Sequence, residues 1–268
     1  MTTAWQSSIA TRQTTWAAGD FHQISAQQVI VGEWLCEAAA VHAGEHVLDV
    51  AAGSGNAALA AARRHAEVTA VDFVPALLDR ARLRAAAEGL RLQADIGDAQ
   101  ALPYAEHRFD VVVSTFGVMF ASDQQRAADE LLRVCRHGGR IALASWRPDG
   151  LLGEQFGIIV DFQGCPDPRP TPIRWGTEEG VRELLGHQAN SIRTRMRYAY
   201  ASYRSIDHVL QVWTEAYGPI VTLLATLTPE DKAEFKRELA TLWSRYNEAT
   251  DGSVLVHSSY LEAVVVRD

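Results

Sequence analysis

One stretch restricts the fold more than any other: Val47-Leu48-Asp49-Val50-Ala51-Ala52-Gly53-Ser54-Gly55-Asn56-Ala57-Ala58. A short apolar strand ends, the chain turns on two glycines, and a helix begins. Glycine lets a backbone approach a ligand with no Cβ in the way. The first turn of a helix adds amide donors that have no partner within the helix. Taken alone, the stretch describes either a nucleotide-type site of open ligand or only a tight turn. It also satisfies the dinucleotide pattern G-x-G-x-x-G/A through Gly53, Gly55 and Ala58.

Strands and helices alternate around it. Glu45–Val50, Glu67–Asp72, Arg91–Asp95, Phe109–Thr115 and Gly139–Trp146 read as strands. Phe109–Thr115 carries apolar residues on both faces, as a buried parallel strand does. Between them lie helical stretches: Asn56 to Arg64, a helix opened by Pro75 and closed by Gly89, and one from a Ser122 cap to about Arg136. This alternation predicts a parallel, doubly wound α/β sheet. Ahead of it, Ser25 is placed to cap a helix carrying Val29, Ile30, Trp34 and Leu35.

Beyond it, four of the nine prolines fall within Pro166–Pro172, a stiff surface connection. Ile192–Tyr203 then alternates at period two, with Arg193, Arg195 and Arg197 on one face, a half-exposed strand guarded at a sheet edge. Helices are expected near Ser205–Tyr217 and Thr228–Tyr246, the latter opened by Thr228-Pro229-Glu230-Asp231. Tyr260–Val266 is the last strand. The chain is expected to divide into three parts, 1–42, 43–150 and 151–268.

Composition narrows the partners. Among 268 residues, 25 Lys and Arg against 33 Asp and Glu give a net charge of −8, which argues against nucleic acid. No apolar run approaches the roughly 20 residues of a membrane span. Met1–Ala10 lacks the build of a signal peptide, so a cytoplasmic protein is expected. Cys36, Cys135 and Cys165 lack metal-ligand spacing and read as free thiols; no metal site is expected.

Two acids decide between ligands. Asp72 ends the second strand, 19 residues after Gly53, where a carboxylate accepts ribose hydroxyls. Asp49 stands where a dinucleotide would bring its pyrophosphate, and an acid there repels phosphate but attracts a cation. S-adenosylmethionine, with a ribose, a sulfonium and an ammonium, suits both acids.

With these residues in place, the sequence resembles the class I S-adenosylmethionine-dependent methyltransferases, most nearly the small-molecule subgroup similar to the ubiquinone/menaquinone C-methyltransferases. Asp49–Gly55 looks like their first motif and Ala70-Val71-Asp72 like their second. Gly97-Asp98-Ala99-Gln100-Ala101-Leu102-Pro103-Tyr104, Phe109–Ser114 and Leu132–Arg140 look like their later segments, in the same order. His137 stands where the family usually has proline. The resemblance implies a Rossmann-like seven-stranded sheet, mostly parallel, with the last strand antiparallel between the fifth and sixth; residues 1–42 would be an N-terminal helical lid, 43–150 the cofactor-binding core, and 151–268 the part that completes the sheet and adds a helical cap.

It also implies roles. Gly53 and Gly55 pass under the methionine part of the cofactor, and Asp49 lies near its amino group. Asp72 takes the ribose, Phe73 lies beside the adenine, Asp98 accepts from the adenine amino group, and the Ala99 amide faces a ring nitrogen. Thr115 and Phe116 border the methionine end, and Ala51 and Asn56 complete the set.

The acceptor is read as a small, partly apolar or aromatic metabolite, methylated at O, N or C by in-line displacement. Candidate pocket walls are Trp16, Phe21, Met119, Trp146, Trp175, Trp213 and Tyr217, with Trp5 also considered. His22 and His208 are the candidate bases, although each reads more readily as an ordinary surface or structural histidine. Two other readings stay open: a nicotinamide-dependent oxidoreductase, which Asp49 and Asp98-Ala99 disfavour, and a catalytically silent cofactor-binding module. Sequence leaves the oligomeric state open.

Overall fold

The computed structural model describes residues 8–164 and 172–268. Most of the proline-rich connection, together with Cys165 and Trp5, lies outside the described residues. Seven strands form one sheet: β1 (His46–Val50), β2 (Glu67–Asp72), β3 (Gln93–Ile96), β4 (Phe109–Thr115), β5 (Cys135–Trp146), β6 (Ala189–Tyr203) and β7 (Val254–Arg267). Their order is β3-β2-β1-β4-β5-β7-β6. The first five run parallel, and β7 lies antiparallel between β5 and β6. This is the Rossmann-like sheet that the sequence predicts.

The helices are α1 (Ile9–Ala17), α2 (His22–Ser25), α3 (Val29–Ala38), α4 (Asn56–Arg63), α5 (Pro75–Ala87), α6 (Gln124–Val134), α7 (Leu151–Phe162), α8 (Glu178–Leu185), α9 (Ile206–Ala216), α10 (Gly218–Thr226) and α11 (Pro229–Tyr246). Val47, Leu48 and Val50 of β1 and Val111, Val112 and Val113 of β4 are fully buried, so helices cover both faces of the central strands.

Local chemistry set several boundaries differently from expectation. Asp123, not Ser122, caps α6: its carboxylate accepts from the Arg126 amide at 3.0 Å. Ser122 instead donates to Gln100 Oε1 at 3.0 Å. Ser25 caps nothing; its hydroxyl meets the Ser54 hydroxyl at 3.0 Å, and α3 starts later, at Val29. Thr228 does cap α11, accepting from the Asp231 amide with Pro229 next in line.

The edge strand β6 is half-exposed. Its outer face carries Met196, Tyr198 and Tyr200. Its other face buries Ala199 and Tyr203 under α9 and α11, where Trp213 and Trp243 pack on Tyr203.

The N-terminal helices are tied to the last ones. A Cβ on Gly218 would lie 2.0 Å from the Thr15 carbonyl oxygen, and one on Gly19 would lie 2.7 Å from that of Glu215. The end of α1 and the turn after it therefore rest backbone against backbone on the α9–α10 junction.

Candidate active site

The carboxyl ends of β1, β2 and β4, the start of α4 and the inner faces of α1 and α2 enclose a cavity of about 910 Å³, its mouth included. Open α/β sheets bind ligands at this edge. Of the expected cofactor residues, Asp49, Ala51, Gly53, Asn56, Asp72, Phe73, Asp98, Ala99, Thr115 and Phe116 line it.

Gly55 does not. A Cβ there would sit 2.9 Å from the Ala81 Cβ, and its φ is +85°, so its smallness seats α4 against α5 and turns the chain into the helix.

The two deepest acids are held by backbone amides. Asp49, 1% exposed, accepts from the Ala58 amide in the first turn of α4 at 2.8 Å. Asp72 accepts from Gly53 N at 2.9 Å and from Val74 N at 2.8 Å, one amide on each oxygen. Burial pushes Asp49 up to about 7 and Asp72 up to about 6, and these amides resist the shift. Each carboxylate is thus costly to ionise, and a cation bound beside it would lower that cost.

The far wall is backbone packed on backbone. Ser114 Oγ donates to the Val50 carbonyl at 2.7 Å and accepts from the Val118 amide at 3.0 Å, which bolts the loop after β4 to the end of β1. A Cβ on Gly117 would lie 2.4 Å from the Ala51 carbonyl oxygen. Ala51 and Phe116 both have positive φ, +52° and +57°. Such backbone strain in residues that carry a Cβ concentrates at functional sites. Phe116 lies flat on Trp146, ring centres 3.7 Å apart. The Thr115 hydroxyl is buried without a partner.

At the other end, Arg84 donates to the Ser54 carbonyl at 2.6 Å and to Asn56 Oδ1 at 2.8 Å. His22 Nδ1 lies 3.2 Å from Ser54 Oγ. Its pKa is held below the ordinary value by burial first, then by Arg84 and Arg80.

The candidate acceptor residues separate. Trp16 and Phe21 line the cavity, joined by Phe120, Val118 and Ala121, which the sequence did not single out. Trp16 meets Phe21, Phe120 and Tyr217 edge-on at 5.7, 4.9 and 5.7 Å. Tyr217 therefore backs the wall without lining it. Met119 and Trp175 are fully buried outside the cavity. Trp146 and Trp213 line a separate, smaller hollow of about 300 Å³. Neither candidate base borders the main cavity: His22 meets the Ser54 hydroxyl, and His208, in α9, accepts at Nδ1 from the Arg204 amide at 3.1 Å.

Arg12, unmarked in the sequence, and Ser25, read there only as a helix cap, also line the cavity. Arg12 reaches Asp98 across 86 residues of chain, a contact that no local pattern encodes.

Comparison with known proteins places the chain. A methyltransferase domain family model matches residues 47–139. An uncharacterised protein of Mycobacterium tuberculosis is 39% identical over 247 residues, covering 90% of both chains. The malonyl-[acyl-carrier protein] O-methyltransferase of Serratia marcescens is 31% identical over 211 residues, 79% of this chain and 73% of that one. This chain is an S-adenosylmethionine-dependent methyltransferase of class I. The methyltransferase also shares its fold with the YcgJ protein of Bacillus subtilis: TM-score 0.60 at 18% identity, over 89% of this chain and 99% of that one. Family membership makes S-adenosylmethionine the methyl donor and removes the nicotinamide reading. No helix among the described residues is long and apolar enough to cross a membrane.

Proposed function

We propose that the cavity holds S-adenosylmethionine between the strand ends and the lid, and that the enzyme methylates O, N or C of a small, partly apolar or aromatic metabolite. The observation that carries this reading is the pair Asp49 and Asp72. Two buried acids with raised pKa values line one cavity, at the ends of adjacent strands. Each oxygen of Asp72 takes one amide and keeps acceptor capacity for the ribose hydroxyls. Asp49 lies beside the cationic methionine end, with Ala51, Gly53 and Asn56 as its near wall and Thr115 and Phe116 beyond. Phe73 and Ala99 flank the adenine, with Asp98 reaching its amino group.

The cofactor, when bound, supplies a sulfonium leaving group and the methyl. The protein then needs to align an acceptor and exclude water. Trp16, Phe21, Val118, Phe120 and Ala121 supply an apolar wall for that purpose. We route no proton through His208, which lies away from the cavity, and read His22 as positioning Ser54. An acceptor that is already a nucleophile at neutral pH suits such a site.

Titration calorimetry tests the cofactor half. One S-adenosylmethionine should bind per chain, and Asp72→Ala should weaken it about a hundredfold, the worth of two charge-assisted hydrogen bonds. Unaltered affinity would overturn the ribose assignment. Incubation of a fractionated metabolite extract with methyl-labelled cofactor tests the acceptor half. Label should enter a small, partly apolar molecule; label found only in protein or nucleic acid would overturn it.

A further inference from the structure

The cofactor set fits the cavity at Asp49 and Asp72 and is obstructed at Asp98. A carboxylate offers roughly four lone-pair positions. Asp98 already receives four donor contacts. Oδ1 takes the Gln100 amide at 3.0 Å and Gln100 Nε2 at 3.1 Å, while Oδ2 takes Gln100 Nε2 at 3.0 Å and Arg12 Nη2 at 3.0 Å. An adenine amino group can bond there only after one donor leaves.

Gln100 is not free to go. Its Oε1 accepts from Ser122 Oγ at 3.0 Å and from the Asp123 amide at 2.7 Å, so both ends of its side-chain amide are engaged. Arg12 is the donor that can leave. It arrives from α1, its side chain is 6% exposed, and its Nε is buried without a partner. Its guanidinium also lies 5.5 Å from the centre of the Phe73 ring, the other residue assigned to the adenine. A buried donor left unsatisfied costs free energy, so the closed arrangement is held with a defect built in.

We propose that Arg12 is a latch on the nucleoside end of the cavity: it holds α1 against Asp98 and must release that carboxylate before a cofactor's adenine amino group can bond to it. The inference rests on the cofactor reading above. The Gln13 side-chain amide, donating to the Phe73 carbonyl at 2.9 Å, is the second polar tie of α1 at this end. Because α1 rests through Thr15 on Gly218 of α10, any shift of α1 on release of Arg12 bears on the α9–α10 junction. Cofactor entry and the position of the acceptor cap are thereby coupled.

Stopped-flow tryptophan fluorescence on the full chain, with S-adenosylhomocysteine as probe, tests the latch. In Arg12→Gln the association rate should rise about tenfold, the equivalent of one lost charge-assisted bond. Arg12→Lys, which keeps the charge but not the fork, should fall between that variant and the wild type. Gly218→Ala, which unseats α1 without touching the cavity, should also speed association. Slower or unchanged association in Arg12→Gln overturns the latch and makes Arg12 an ordinary wall of the site. Absence of binding in the wild type would instead overturn the cofactor reading itself.

Discussion

The two sides of the cavity are built by different means. The strand side is anchored to main chain: the Ala52 amide donates to the Val71 carbonyl and the Phe116 amide to that of Ala144, the Ser114 hydroxyl bridges β1 and the loop after β4, Gly117 lies on Ala51, and amides grip Asp49 and Asp72. The lid side rests on ring edges around Trp16 and on side-chain ties, among them Arg12 to Asp98, Gln13 to Phe73 and Ser25 to Ser54. Backbone bonds set by sheet register do not open without unfolding, whereas a few side-chain contacts can exchange for ligand contacts at small cost. A methyltransferase needs both. On the proposed reading, the strand side keeps the charges where the cofactor requires them, and the lid side admits the cofactor and then excludes water.

The comparison can be broken at three points. The largest effect belongs to the strand side. Gly117→Val drives a branched side chain into the Ala51 carbonyl and should cost about 4 kcal/mol or more in urea unfolding. A small loss would mean that the two loops can part.

Next in size is the pH response of the buried acids. Asp49 titrates near 7 and Asp72 near 6 in the folded chain, both above the ordinary carboxylate range. The folded state therefore holds protons that the unfolded chain has already lost. Between pH 5 and 8 folding stability should fall by an amount on the order of 3 kcal/mol. Saturating S-adenosylmethionine should flatten that fall, and its affinity should rise from pH 5.5 to 7.5. Thermal melts with and without cofactor check both, and parallel curves would show that the cation does not meet these acids.

The smallest effect on global stability belongs to the lid. Trp16→Ala removes three edge-on ring contacts and should loosen α1 by about 2 kcal/mol. Amide exchange across 9–17 should quicken while the urea midpoint barely moves. A matching drop in both would mean that lid and sheet unfold together.

The sequence by itself determined the sheet and the position of its acids. Strand alternation and the two-glycine turn are local patterns, and β2 and β4 fall on the residues expected for them. Asp49 and Asp72 follow from the fold because strand ends in a parallel sheet share one edge. Gly55, read as a ligand contact, is legible as a glycine but not as a packing glycine, since Ala81 is 26 residues away and touches it only once α4 and α5 are docked. The aromatic candidates show the same limit. Trp16 and Trp175 look alike in sequence, yet one lines the cavity and the other is sealed in the core. Burial depends on which helix packs over which, and that is a sum of many distant contacts. Arg12 is the clearest case. Its ion pair with Asp98 exists only because α1 folds back over the cavity, and only the tertiary structure could decide that a cation would stand beside that carboxylate.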